Sequence, residues 1–105
     1  MPEIDFKATI RDDQDIATKV SHASWEGSIF FTGMRGKGVV TISFEKIKKV
    51  SATGSGSGTK SDFQITLKNG DMVAVSLDND SRFLGTTSFG SFRISAKNIK
   101  EIVFD

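Results

Sequence analysis

The second half of the chain repeats the first half at an offset of 52 residues. The segment FTGMRGKGVVTISFEKIKKV at 31–50 aligns without a gap with FLGTTSFGSFRISAKNIKEI at 83–102. Seven aligned positions are identical, where average residue usage gives on the order of one or two. The identical pairs are Phe31/Phe83, Gly33/Gly85, Gly38/Gly90, Ile42/Ile94, Ser43/Ser95, Ile47/Ile99 and Lys48/Lys100. The repeat predicts that each half forms the same unit, whereas convergence would be the alternative explanation.

Each repeat is too short to be stable alone, because so small a unit buries too little apolar surface to offset its conformational entropy. The two halves are therefore predicted to share one hydrophobic core about a pseudo-twofold axis. We expect residues 1–105 to form a single all-β domain. Half 1 is predicted at 3–52, a Gly/Ser linker at 53–60, and half 2 at 61–104.

Period-two alternation of apolar residues runs through both halves and is typical of half-buried strands. Residues 4–11 and 63–67 show it most clearly, and Asn69-Gly70 after the second segment predicts a two-residue type I′ hairpin. Residues 44–47 are predicted to form one tight helical or 3₁₀ step. The fold class expected is a small β-sandwich or flattened barrel of about nine strands, without a true helix.

Composition excludes several classes of protein. Lys and Arg number 14 against 13 for Asp and Glu, so the charge of +1 lacks the strong field of a nucleic-acid binder. The absence of cysteine excludes disulfides and thiolate zinc sites, and a single histidine excludes a multi-histidine metal centre. No apolar run approaches the roughly 20 residues of a membrane span. The start of the sequence has no secretory signal, and the Gly/Ser/Thr-rich composition favours the bacterial cell envelope only if a signal has been trimmed.

Candidates for catalysis are few. His22 has Ser21 and Ser24 as nearby hydroxyls, but no acidic residue is placed by sequence to orient its ring, so an edge-strand histidine is the favoured interpretation. Residues 54–61 come one glycine short of a phosphate-binding loop and precede an alternating strand instead of a helix, which favours a flexible linker. The sequence predicts no enzyme, no catalytic residue and no cofactor.

Two acidic turns carry oxygens of the kind that calcium prefers. They are Asp12, Asp13 and Asp15 in the first half, and Asp78, Asn79, Asp80 and Ser81 in the second. Neither has the glycine and distal glutamate of an EF-hand, and β-turns select Asp and Asn for their own backbone hydrogen bonds. Turn formation is the favoured interpretation, and no metal site is predicted.

One segment combines bases with aromatic residues and is the predicted binding surface. Its members are Trp25, Phe31, Arg35, Lys37, Lys46, Lys48 and Lys49. The adjacent Phe30 and Phe31 must point to opposite faces of a strand, so one of them leaves the core unless both faces are covered. Each part of this surface also has a purely structural interpretation. The lysines would then protect a sheet edge from unwanted pairing, and Trp25 would close one end of the core.

Two functions are expected from this surface. The first is a non-catalytic β interaction module that presents a sheet edge or an aromatic face to a partner protein or to a second copy of itself. The alternative follows from residues 61–104, whose order of strand, Asn-Gly hairpin, strands and 3₁₀ step resembles a small Sm-like barrel in topology alone. That resemblance implies a nucleic-acid or anionic-surface binder that uses the bases from Arg35 to Lys49. Tyrosine is absent and most phenylalanines fall at positions whose alternation places them in the core, which disfavours nucleic acid.

Overall fold

The computed structural model describes residues 6–55 and 58–105, apart from the side chain of Ser55. This part of the chain is all-β, as predicted, and contains ten strands and no α-helix. Half 1 contributes β1 (Ala8–Asp12), β2 (Ala17–Trp25), β3 (Phe30–Arg35), β4 (Gly38–Ser43) and β5 (Ile47–Ser55). Half 2 contributes β6 (Lys60–Leu67), β7 (Met72–Asp78), β8 (Arg82–Thr87), β9 (Gly90–Ser95) and β10 (Ile99–Phe104). Two 3₁₀ turns, Phe44–Lys46 and Ala96–Asn98, lie before β5 and β10.

All ten strands form one antiparallel sheet that curls into a half-barrel. Its order is β4-β3-β7-β6-β5-β10-β1-β2-β8-β9. Replacing each strand by its repeat equivalent, five strands away along the chain, reverses this order and leaves the sheet unchanged. The predicted pseudo-twofold repeat is therefore confirmed at the level of the whole sheet.

The pseudo-twofold axis passes between the central strands β5 and β10. Val50 pairs there with Ile102, its own equivalent at the offset of 52 residues. The 3₁₀ turns obey the same symmetry, because Phe44 N donates to Ile29 O at 2.9 Å and Ala96 N donates to Ser81 O at 2.8 Å. Corresponding backbone groups thus make corresponding bonds in the two halves.

The two halves are interleaved in the sheet. Hairpin β1–β2 of half 1 pairs with β10 and β8 of half 2, while hairpin β6–β7 of half 2 pairs with β5 and β3 of half 1. The element order of half 2 resembles an Sm-like barrel, but the pairing differs, because β6–β7 pairs with half 1 instead of closing on β8–β10. Neither half completes a sheet by itself in the described residues.

The core is built by matching side chains of both halves. The rings of Phe31 and Phe83 are nearly parallel, with centroids 6.1 Å apart. The ring centroid of Phe44 lies 4.9 Å from that of Phe31 and 4.9 Å from that of Phe104. Aromatic residues of both halves therefore belong to one cluster. Ile47 and Ile99 are both buried, so the two halves share one hydrophobic interior.

The tight turns differ from the sequence expectation. The Asn69-Gly70 loop is not a type I′ turn, because Gly70 alone has a positive φ and its N donates to Leu67 O, which makes a three-residue loop. The two-residue type I′ geometry occurs instead at Glu26 and Gly27, with φ of 51° and 85°. The flanking Trp25 and Ser28 exchange both backbone hydrogen bonds there, at 2.7 and 3.0 Å.

The predicted linker at 53–60 is largely strand in the described residues. β5 continues to Ser55 and β6 begins at Lys60, with a turn at 58–59. Residues 56–57 of the linker lie outside the described part of the chain. Within residues 6–55 and 58–105, no helix has the length and apolar character that a membrane crossing needs.

Candidate functional site

The two ends of the sheet are the strands with a free edge. β4 pairs only with β3, and β9 pairs only with β8, among the residues that the structure describes. The two edge strands are repeat equivalents of six residues each. Any difference between them therefore reflects sequence and not architecture.

Next to the β4 edge lies an apolar groove of about 500 Å³, which we call the β4 groove. Phe30 and Val40 line it, and Phe30 is 38% exposed. Leu67 and Val73 enter it from the β6–β7 hairpin, so both halves contribute to its walls. The remaining lining residues are Thr41, Ile42, Ser43 and Lys46.

The equivalent groove beside β9 is polar. In this β9 groove, of about 380 Å³, the repeat replaces Thr41 by Arg93 and Lys46 by Asn98. The β1–β2 turn supplies further polar groups to the β9 groove, at the position that Leu67 occupies in the β4 groove. The lining residues are Asp12, Asp13, Gln14, Phe92, Arg93, Ile94 and Asn98. The same fold thus presents an apolar groove at one edge and a charged groove at the other.

The two edge strands also differ in charge. β4 contains no charged residue, and Val39 on it is 67% exposed. β9 carries Arg93 near its middle. Natural sheets block unwanted pairing by placing charges on their edges, so β9 is protected in this way and β4 is not.

Two residues of the predicted binding surface belong to the core instead. Trp25 is 4% exposed and Phe31 is 1% exposed, and their ring centroids are 5.0 Å apart. Trp25 therefore belongs to the hydrophobic core and not to an exposed surface. Alternation along β3 turns Phe31 inward and Phe30 outward, so Phe30 is the exposed member of this adjacent pair.

The predicted basic residues do not form one patch. Arg35 ends β3 and Lys37 lies in the β3–β4 turn, whereas Lys46 follows the other end of β4 in a 3₁₀ turn. A strand of six residues separates these positions by roughly 17 Å. Arg35 Nη1 donates to Ala74 O at 3.1 Å. Lys48 and Lys49 lie on β5 at the centre of the sheet.

The acidic turns use their oxygens for local bonds. Asp12 Oδ1 accepts from Gln14 N at 2.9 Å and from Ile16 N at 3.0 Å, which is typical of an Asx turn. In the second turn Asp78 Oδ1 lies 2.6 Å from Lys60 Nζ. No group of three or more His, Asp or Glu side chains gathers in metal-binding geometry within the described ranges.

Asp15 is a surface carboxyl whose pKa is lowered by a neighbouring ammonium group. A hydrogen bond from Lys100, at 2.6 Å, and the charge of that ammonium hold the pKa of the Asp15 carboxyl below its usual range. The pair is solvent-exposed and joins the β1–β2 turn to β10. It connects half 1 to half 2 on the surface.

His22 lies at a β-bulge where the register of β2 against β8 shifts between Ser21 and Ser24. Its φ of 53° is left-handed, a conformation in which histidine is enriched among non-glycine residues. The ring lines a cleft together with Ser24 and Arg93. This bulge was not predicted, because the neighbouring Ser21, Ala23 and Ser24 are small or polar and show no apolar alternation that an extra residue would interrupt.

The sequence analysis missed the β4 groove as a site. Its apolar residues alternate like core residues, and only the sheet order shows that β4 has no outer neighbour. One signal was present in the repeat alignment, in which Thr41 opposes Arg93 and Lys46 opposes Asn98. Comparing the halves for differences, instead of identities, would have pointed to this edge.

A protein-family profile described as "Uncharacterised protein" matches residues 2–105, and the chain belongs to that family. No curated protein and no solved structure matches the chain.

Proposed function

We propose that the protein is a non-catalytic β module that binds an extended segment of a partner protein along the β4 edge. One observation carries this proposal: the β4 groove is apolar, while the equivalent β9 groove contains Asp12, Asp13 and Arg93. Symmetry alone would make the two grooves alike. The apolar character of one edge is therefore a property of its sequence that the fold does not require.

The β4 edge suits strand addition. In this mode of recognition a peptide pairs its backbone with a free sheet edge, and alternate side chains enter adjacent pockets. β4 offers unpaired backbone groups along six residues without a charged side chain. Val40 and Ile42, at alternate positions, are half-buried against the core and supply the apolar contacts.

The chemistry of the groove describes its occupant. An added strand with apolar side chains at alternate positions would cover Val40 and Ile42, which lie on one face of β4. Lys46 lines the same groove and forms no ion pair with another described residue. A carboxylate at the end of the peptide near Lys46 would therefore find an available cation. We infer an extended apolar segment with an acidic end.

One observation supports protein binding over nucleic-acid recognition. The bases Arg35 and Lys46 lie at opposite ends of β4 and do not follow one phosphate track. A salt titration distinguishes these modes, because phosphate contacts weaken steeply with ionic strength and strand addition does not.

The test uses the full chain labelled with ¹⁵N and the synthetic peptide acetyl-Val-Thr-Val-Thr-Val-Glu-amide. We expect saturable shifts of the backbone amide signals of residues 39–43 and none of residues 91–95. The variant Val39→Lys places a charge on the exposed edge and should weaken binding roughly tenfold or more. Val39 is mostly exposed, so this variant should retain its fold.

The matched control is Ser91→Lys, which places the same charge at the equivalent position of β9. It should leave peptide binding unchanged. Equal shifts at both edges, no saturable shifts, or binding indifferent to Val39→Lys would each reject the proposal. A dimer in sedimentation that Val39→Lys dissociates would instead assign the β4 edge to a second copy of the chain.

A further inference from the structure

A second candidate site is the cleft that contains His22, and it is distinct from the β4 groove. Its volume is about 450 Å³, within the range of small-molecule sites. Leu84 and Phe92 supply apolar wall, while Ser24 and Arg93 supply polar groups. We refer to it as the His22 cleft.

Part of the wall of the His22 cleft has no counterpart in the repeat. After the bulge at His22, β2 continues to Trp25 and pairs Ser24 with Leu84. The equivalent strands β7 and β3 pair only at Met34 and Ser76, and β7 ends at Asp78. Bulges are frequent beside binding sites, where they redirect side chains. Strand β2 therefore differs from its repeat equivalent β7 at the place where this cleft forms.

Ser24 is an unusual wall residue. It is only 3% exposed, and it is the one polar residue among the buried residues that the structure describes. Its hydroxyl makes no hydrogen bond with any described residue, although it lines the cleft. Its oxygen remains accessible from the cleft. A ligand in the cleft would accept a hydrogen bond from it in place of water.

Arg93 provides a cation without a partner. Its guanidinium makes no hydrogen bond or ion pair within the described part of the chain. The other half has no such cation at the corresponding position, because the repeat equivalent of Arg93 is Thr41. No carboxylate occurs among the described residues that line the His22 cleft.

From these contacts we propose that the His22 cleft binds a small organic carboxylate with an apolar body. Arg93 would hold the carboxylate, since a guanidinium fork matches its two oxygens, and Ser24 would donate a further hydrogen bond. Leu84 and Phe92 would contact the apolar body. The proposal needs no contact with the β4 edge and stands apart from the function proposed there.

The test measures binding of benzoate to the ¹⁵N-labelled full chain, with benzyl alcohol as a neutral analogue of similar shape. We expect saturable shifts confined to the bulge at 22–24 and to residues 84–86 and 91–93. The variant Arg93→Gln should weaken benzoate binding about tenfold or more, since it removes a charge-assisted pair. Ser24→Ala should weaken binding by a smaller factor, because it removes one neutral hydrogen bond.

The matched control is Arg82→Gln, which removes the same charge from the same hairpin but lies outside the cleft. It should leave benzoate affinity unchanged, and benzyl alcohol should bind about tenfold more weakly than benzoate. The proposal is overturned if benzoate produces no saturable shifts at millimolar concentration. It is equally overturned if Arg93→Gln has no effect or if Arg82→Gln has the same effect.

Discussion

Two equivalent glycines mark the places where strands of opposite halves cross most closely. A Cβ added at Gly85 would lie 2.6 Å from Val20 Cβ on β2, and one added at Gly33 would lie 2.8 Å from Ser76 O on β7. Both distances are shorter than a real Cβ contact. The glycines of the repeat therefore permit the close approach through which β2 meets β8 and β7 meets β3.

Substituting Gly85→Ala should destabilise the protein by about 1–3 kcal/mol, the usual cost of overpacking an interior. Val20 Cβ is fixed to its backbone and cannot rotate away from the new methyl group. Urea unfolding of both variants measures the difference, with Gly38→Ala as the control. The nearest heavy atom to a Cβ at Gly38 is Arg35 O at 3.6 Å, an ordinary contact. A Gly85→Ala variant as stable as Gly38→Ala would refute the close crossing.

The Asp15–Lys100 pair predicts a pH dependence of small size. Because its pKa is lowered in the folded chain, Asp15 contributes stability above the pKa of the unfolded chain, about 3.9, and that contribution is lost as pH falls through the folded pKa. A carboxyl ¹³C titration should therefore give Asp15 a pKa below the usual range of an aspartate. In the Lys100→Met variant the pKa of Asp15 should rise toward its usual range. An unchanged pKa in this variant would contradict the assignment of the cause.

At the scale of elements, β3 shows how alternation sorts two adjacent aromatic residues. Phe31 is buried among four other aromatic rings, while Phe30 is partly exposed at the β4 groove. Phe31→Ala should cost about 3–5 kcal/mol of unfolding free energy, as core phenylalanines do. Phe30→Ala should cost less than about 1 kcal/mol, as for a surface change. Chemical denaturation of the two variants checks the contrast, and equal losses would show that β3 has been assigned to the wrong face.

Many elements were predictable because their signals are local. Strand β4, strand β9 and the 3₁₀ turn at 44–46 follow from alternation and the repeat alone. The type of each turn was not predictable, since Asn69-Gly70 suits a two-residue loop and yet forms a three-residue one. Turn type depends on the register of the flanking strands, which is set by pairing across the whole sheet. The β4 groove was missed because it, too, depends on which strands lie side by side, and alternation within a strand does not show this.

At the scale of the whole molecule, the repeat predicted two similar halves with a common core, and the structure shows how they share it. Strands of the two halves are interleaved in the sheet, and five of its nine pairs of neighbouring strands join one half to the other. Periodicity shows which face of a strand is buried but not which strand lies beside it. The interleaving could therefore not be predicted from sequence.

Interleaving makes each half depend on the other, and cutting the chain between them tests this dependence most directly. A protease site inserted between residues 56 and 57 would allow the folded protein to be cleaved into its halves. We predict that the cleaved halves co-elute in size-exclusion chromatography at the mass of the intact chain and separate only in denaturant. Each half purified alone should lack dispersed amide signals until its complement is added. Halves that separate without denaturant and fold independently would contradict the account.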